Sequence, residues 1–267
     1  MYKSRVLFLF FIVLFISCKE SIERKTIKVN IDPDKSIVKT KNEQVEILRI
    51  DPIIIDTINC GLNFKVSNPY QFEKNQALLL ANKYFNLDSS YQENHIDSIG
   101  EIFTKQLLNR IIPHWYGTPW DFEGHTSIPN KGEIACGYFV STTLRDMGLN
   151  LNRYKLAQKA PIYEAKSIAI DLNNFKEFDH DSIFTVLNEI ESGLYFVGLD
   201  NHVGYLWINN GIAYFIHSNY ISGVVMAELA TESDAFYSSI YYISEISKNR
   251  ELMEKWLTRD TIFIISK

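Results

Sequence analysis

Cys136 is the residue with the clearest chemical potential. It opens the run Cys136-Gly137-Tyr138-Phe139-Val140-Ser141-Thr142-Thr143-Leu144-Arg145-Asp146-Met147-Gly148. Tyr138, Phe139, Leu144 and Met147 fall at helical spacing, and Gly148 suits the position just past a helix end. The thiol is therefore expected at or just before the first turn. Unpaired N–H groups and the positive end of the dipole there favour a thiolate, and the same donors suit the oxyanion of a tetrahedral intermediate. Such a nucleophile needs a base, and the base needs an orienting partner. Of the six histidines, His95 and His180 stand among polar residues, and His114 and His125 flank Trp115-Tyr116-Gly117-Thr118-Pro119-Trp120. His202 and His217 differ, because each lies in an apolar, strand-like run on adjacent arms of an expected hairpin. Side chains on neighbouring strands reach one another, so Cys136 with His202 and His217 forms the candidate catalytic set.

The elements that must position these residues follow from periodicity. Phe72–Phe85 and Ile96–Ile112 read as helices, the second with an apolar stripe of Ile96, Ile99, Ile102, Phe103, Leu107, Leu108 and Ile111 and a stop at Pro113. Short strands are expected between Val45 and Val66. Beyond Gly193, Leu194–Leu199, His202–Ile208, Ile212–His217 and Val224–Leu229 read as strands, with Asn209-Asn210-Gly211 as a hairpin turn, and Glu251–Leu257 as a late helix. The aromatics from Phe236 to Tyr242 read as packing or as cover for a cleft edge. Helices, then a Cys-bearing helix, then an antiparallel meander make the class α+β.

The chain begins Met1-Tyr2-Lys3-Ser4-Arg5, continues with the apolar run Val6–Ile16, and reaches Ser17-Cys18. A bilayer-spanning helix needs about 20 apolar residues, so this run suits a secretory signal. Phe15-Ile16-Ser17-Cys18 resembles a bacterial lipobox, in which the signal is cut before a Cys that takes a diacylglycerol. This gives residues 1–17 as a lipoprotein signal and Cys18 as the lipidated residue. Residues 18–44, rich in Lys, Glu, Asp and Ser, read as a tether. The expected location is the bacterial cell envelope, lipid-anchored to a membrane and facing the periplasm or exterior. Cys60 and Cys136 then remain. In an oxidising compartment they could pair, but a nucleophile must stay a thiol, so the disulfide and catalytic readings exclude each other. A formal net charge of −5 leaves no basic footprint, and nucleic acid is not an expected partner. Asp121, Glu123 and His125 lack zinc-site spacing and read as a polar loop, so no metal or cofactor is expected.

Asn201-His202-Val203-Gly204-Tyr205-Leu206 resembles the His-Val-Gly-Ile-Tyr strand of NlpC-type papain-like cell-wall peptidases. Phe215-Ile216-His217-Ser218 with Ser222-Gly223-Val224-Val225 is similar to that family's second His strand and the strand after it. Tyr116-Gly117-Thr118-Pro119-Trp120 resembles the Gly-Thr-Pro-Tyr segment upstream of its nucleophile. The likeness spans about residues 112–226, with a long stretch between Leu151 and Ser192. It implies a papain-like fold in which the helix-borne Cys packs on an antiparallel sheet carrying the histidines. The catalytic domain would be 112–267, preceded by an extension over 45–111. It also implies a triad in which Cys136 attacks, His202 takes the thiol proton and His217 orients His202, without a metal. Peptidoglycan peptide would be the substrate and partner. Tyr116 and Trp120 would line the substrate site. Asp200, just before His202, is a further candidate there or as an orienting group. The nucleophile box reads Ala135-Cys136-Gly137-Tyr138 where the family has Asp-Cys-Ser-Gly, and Trp120 stands where it has Tyr, as in a divergent branch with its own pocket. Two other readings use the same residues. One is an amidase or acyltransferase acting on another amide or ester. The other is a catalytically silent lipoprotein that binds wall peptides.

Overall fold

The strand region of the sequence forms a six-stranded antiparallel sheet in the order β1-β6-β2-β3-β4-β5. Its strands are β1 (Phe175–Asp179), β2 (Gly193–Gly198), β3 (Val203–Asn209), β4 (Ile212–Asn219), β5 (Val224–Leu229) and β6 (Ile240–Glu245). The computed structural model describes residues 60–87 and 95–266. The signal, Cys18, the tether and the strands expected between Val45 and residue 59 lie outside the described residues. Among the described residues seven α-helices complete the α+β fold: α1 (Tyr70–Phe85), α2 (Ile96–Gln106), α3 (Cys136–Asp146), α4 (Arg153–Ala157), α5 (Pro161–Ala169), α6 (His180–Glu189) and α7 (Arg250–Thr258).

Every residue of β2 is buried, as expected of a central strand covered on both faces. Alternation along β3 and β4 sorts their side chains into two cores. Tyr205, Tyr214 and Ile216 join the larger core beneath α3, whereas Leu206, Ile208 and Phe215 join a smaller one with Ile183 and Leu187 of α6. The larger core also takes Ile99 and Phe103 of α2 and Leu252, Met253 and Trp256 of α7. Residues 60–87 and 95–111 therefore share one core with the rest of the described chain.

Several expectations are corrected. Residues 61–67 run as coil rather than strand. The Asn63 side chain bonds the Lys65 and Asn109 carbonyls, and Trp207 Nε1 donates to the Cys60 carbonyl, so backbone groups are met by side chains instead of a sheet edge. Pro113 does not end the second helix at once. The chain widens into a π turn over Leu107–Ile111 and then a 3-10 turn over Ile112–His114, where the missing Pro N–H is tolerated. Of the aromatics from Phe236 to Tyr242, read as packing or cleft cover, Phe236 and Tyr241 are fully buried in the smaller core, and Ile240–Glu245 is an interior strand that was not expected. The long stretch between Leu151 and Ser192 holds α4, α5, β1 and α6.

Candidate active site

The entry to α3 is fixed from three sides. Ile134 N–H donates to the Pro119 carbonyl at 2.9 Å, Ala135 N–H to the Gly124 carbonyl at 2.8 Å, and Ser218 Oγ to the Ile134 carbonyl at 2.7 Å. Further along, Thr143 Oγ1 and Tyr205 OH lie 2.7 Å apart and tie α3 to β3. Cys136 is thus the first residue of the helix, and the N-cap, Ala135, has no side chain to satisfy the leading N–H groups. They stay available for an anion. The backbone N–H groups of Val203, Gly137 and Cys136 itself favour the ionised form of the Cys136 sulfur. Val203 directly follows His202, so Cys136 lies near the start of the histidine strand. The thiol is partly accessible. Burial, with the nearby Glu164 carboxyl, pushes its pKa up to about 11, and the backbone donors only partly offset this. The thiolate expected from the helix start is therefore corrected to a neutral thiol, because desolvation outweighs the dipole.

His202 stands one residue before β3, and His217 lies inside β4. His202 Nε2 and His217 Nδ1 are 2.7 Å apart, and His217 Nε2 lies 2.9 Å from Glu228 Oε1 on β5. The sheet register explains the meeting: Phe215 pairs with Glu228 and His217 with Met226, so Glu228 is diagonal to His217 on one face. Gly204 leaves room for the pair, since a Cβ there would come within 2.9 Å of His217 Cβ and 2.6 Å of Phe215 Cε2. The Phe215 ring stacks on His217 with centroids 4.0 Å apart.

Donor and acceptor roles follow along this chain. An ionised Glu228 only accepts, so His217 carries its proton on Nε2 and presents Nδ1 as an acceptor. His202 must then donate from Nε2, which leaves its Nδ1 as the basic nitrogen. Burial tends to raise the Glu228 pKa, but hydrogen bonds from His217, Ser233 and Asn219 hold it below the ordinary carboxyl value. Burial and the neighbouring His217 push His202 well below the ordinary imidazole value, and burial also lowers His217. Both rings are neutral near pH 7.

Glu228 was missed by sequence reasoning. Its signal was a lone carboxylate in the apolar strand Val224–Leu229, two strands from His202. Arg153 was also missed. Almost fully buried, it donates to Thr142 Oγ1 and to the His125 and Thr126 carbonyls, which fastens the 120–135 loop onto α3.

The other expected lining residues separate. Trp120 is at the rim: its N–H donates to the Gly223 carbonyl at 2.7 Å, and its ring faces Tyr220, which meets His202 edge-on at 5.2 Å. Tyr116 instead stacks on Phe64 at 5.1 Å, with its hydroxyl buried and unpartnered. Asp200 accepts from Ser239 N and Oγ at 2.8 and 2.7 Å. It borders a separate hollow of about 430 Å³ with Asp179, His180 and Tyr237. Neither joins the histidine chain. Cys60 and Cys136 are not joined by a disulfide. Among the described residues no three His, Cys, Asp or Glu side chains are grouped to hold a metal ion, and Asp121, Glu123 and His125 form no exception. Comparison of the chain with models of known families, with curated proteins and with solved structures gives no match in any of the three.

Proposed function

We propose that this protein is a cysteine hydrolase with a papain-like arrangement, a divergent member of the NlpC type, which cuts peptide bonds in peptidoglycan stems. The observation that carries the reading is the chain Glu228–His217–His202, which ends one residue before Val203, whose backbone is felt at the helix-start thiol of Cys136. A site used only for binding has no need of a base whose tautomer is fixed through two further residues.

In this mechanism the substrate carbonyl lies over the first turn of α3. The Cys136 sulfur attacks its carbon while the thiol proton passes to His202 Nδ1, since both groups are neutral at rest. The C–S bond forms, and the carbonyl π pair becomes an oxyanion facing the unpaired N–H groups. Collapse breaks the C–N bond, and the imidazolium gives its proton to the leaving amine. Water then attacks the thioester, giving a proton to His202. The resulting intermediate collapses to a carboxylic acid as Cys136 recovers its proton. His217 and Glu228 stabilise the imidazolium at both stages.

Anchoring through lipid at Cys18 belongs to the same proposal and would hold the enzyme at the envelope membrane. Cys18→Ala should move the protein from the membrane fraction to the soluble one. Among the described residues no helix is long and apolar enough to cross a membrane.

The decisive experiment digests muropeptides with wild type and with Cys136→Ala and reads the products by mass spectrometry. Cleavage by wild type alone is expected. Equal cleavage by both removes Cys136 from the mechanism, and cleavage by neither removes the peptidase assignment. One observation favours a second reading, an amidase or acyltransferase. Phe122, Tyr220 and Ile221 are 81%, 47% and 57% exposed around the Trp120 rim, an apolar surface suited to an acyl group.

A further inference from the structure

Glu164, on α5, is 2% exposed, and its Oε2 is buried without a hydrogen-bond partner. Among the described residues no cation forms an ion pair with it. An unsatisfied buried carboxyl is expensive, and most buried polar groups avoid that state. Its position is informative. A Cβ on Gly137 would come within 3.1 Å of Glu164 Oε1 and 2.8 Å of the Ala157 carbonyl. The carboxyl is therefore wedged against the residue that follows the nucleophile, and glycine is the residue that admits it. Electrostatically it is also felt at the Cys136 sulfur.

We propose that Glu164 is a positioning residue for Cys136, closing the inner side of the α3 start and limiting that compartment to one negative charge. The role deepens the hydrolase reading and rests on it. Among the described residues, Cys136 is the titratable group at which the Glu164 charge is felt. Elements packed on α5 carry Arg153 and Lys155 (α4), Lys176, Glu177 and Asp179 (β1) and Glu245 (β6). None of these offsets its burial, which alone drives the carboxyl pKa well above the ordinary value. At neutral pH Glu164 is then an uncharged acid, and the thiol can ionise as it attacks. Once Glu164 ionises, a second charge on sulfur meets a like charge at low dielectric. The space beside Gly137, the residue after the nucleophile, and the permitted charge are both set from α5.

The test is alkylation of Cys136 by iodoacetamide from neutral to strongly alkaline pH, in the detergent-solubilised full-length protein, followed by peptide mapping. It needs no substrate, so it stands or falls separately from the muropeptide digestion. Wild type and Glu164→Gln should react at similar rates near pH 7 and diverge in alkali. The variant should become about tenfold faster, the effect of one unit in the thiol pKa, and Glu164→Asp should behave like wild type. Profiles that superimpose throughout, or that stay parallel at every pH, overturn the proposal, since a merely structural role changes reactivity without changing its pH dependence. Infrared spectra give a second measure that does not rely on thiol reactivity. A protonated-carboxyl stretch at neutral pH, lost in Glu164→Gln or in Glu164→Met, is expected, and its absence from wild type is equally fatal.

Discussion

Each end of α3 meets a buried carboxyl, and the two are treated in opposite ways. At the C-terminal end Asp146 is 4% exposed, yet it accepts from Tyr70 OH at 2.7 Å and Arg145 Nε at 2.9 Å and pairs with Lys74 at 3.3 Å. Trp115 Nε1 in turn donates to Tyr70 OH at 2.8 Å. An acid at a helix C-terminus opposes the dipole, so these partners are what make it tolerable. At the N-terminal end Glu164 is as deeply buried but lacks a partner on Oε2. The satisfied acid joins α1 to α3 and serves the fold. The unsatisfied one stands against Gly137, next to Cys136, where uncompensated burial shifts protonation rather than adding stability.

Substitutions separate these two roles. The largest effect is expected in the chemistry: His202→Ala should lower kcat/KM by about 10²- to 10⁴-fold, the usual contribution of a general base, measured on whichever substrate wild type cleaves. Asp146→Ala should cost about 3 kcal/mol of stability in denaturant titration, because it leaves cations and a buried hydroxyl unpaired. Its kcat per folded molecule should stay near wild type, and a large loss of kcat would erase the contrast between the two ends. Glu228→Gln should reduce kcat by about 10- to 100-fold, since an amide can donate as well as accept and no longer fixes the His217 tautomer. A smaller stability loss, about 1 kcal/mol, is expected for Tyr70→Phe.

The smallest effect has a distinctive sign. The folded Glu164 pKa is raised, so its contribution to stability is full below the ordinary value of 4.5 and is lost as pH rises through the folded value. Glu164→Gln should therefore raise Tm by a few degrees near neutral pH, about 1 kcal/mol, and gain less in acid. His202 acts in the opposite direction. Its folded pKa is depressed, so stability is held above the ordinary 6.5 and falls as the solution is acidified below it. His202→Gln should flatten that acid loss in thermal melts at pH 5 to about pH 7.

How far each feature could be read in advance depends on the range of the interactions behind it. The Cys136 helix start, the β3–β4 hairpin and β5 were legible because local periodicity, a turn dipeptide and a helix-ending Gly148 all agree. The β6 strand was not. Its aromatic sequence suits a cleft wall as well as a strand, and only pairing with β1 on one side and β2 on the other decides. The two histidines were visible as polar residues in apolar strands, but Glu228 required the β4–β5 register. Tyr116 and Asp200 were chosen for their place in the sequence, and their partners Phe64 and Ser239 draw them elsewhere.

By itself the sequence determined the α+β class, the place of Cys136 at a helix start and the two histidines on neighbouring strands. These depend on residue type and on spacing within single elements or adjacent ones. The tertiary structure decided the charge state of that chemistry. The local dipole argument predicts a thiolate, whereas burial by β3 and the Glu164 carboxyl from α5 push the Cys136 thiol up to about 11. Desolvation is a property of everything packed around a group, so no reading of the Cys136 helix alone could contain it.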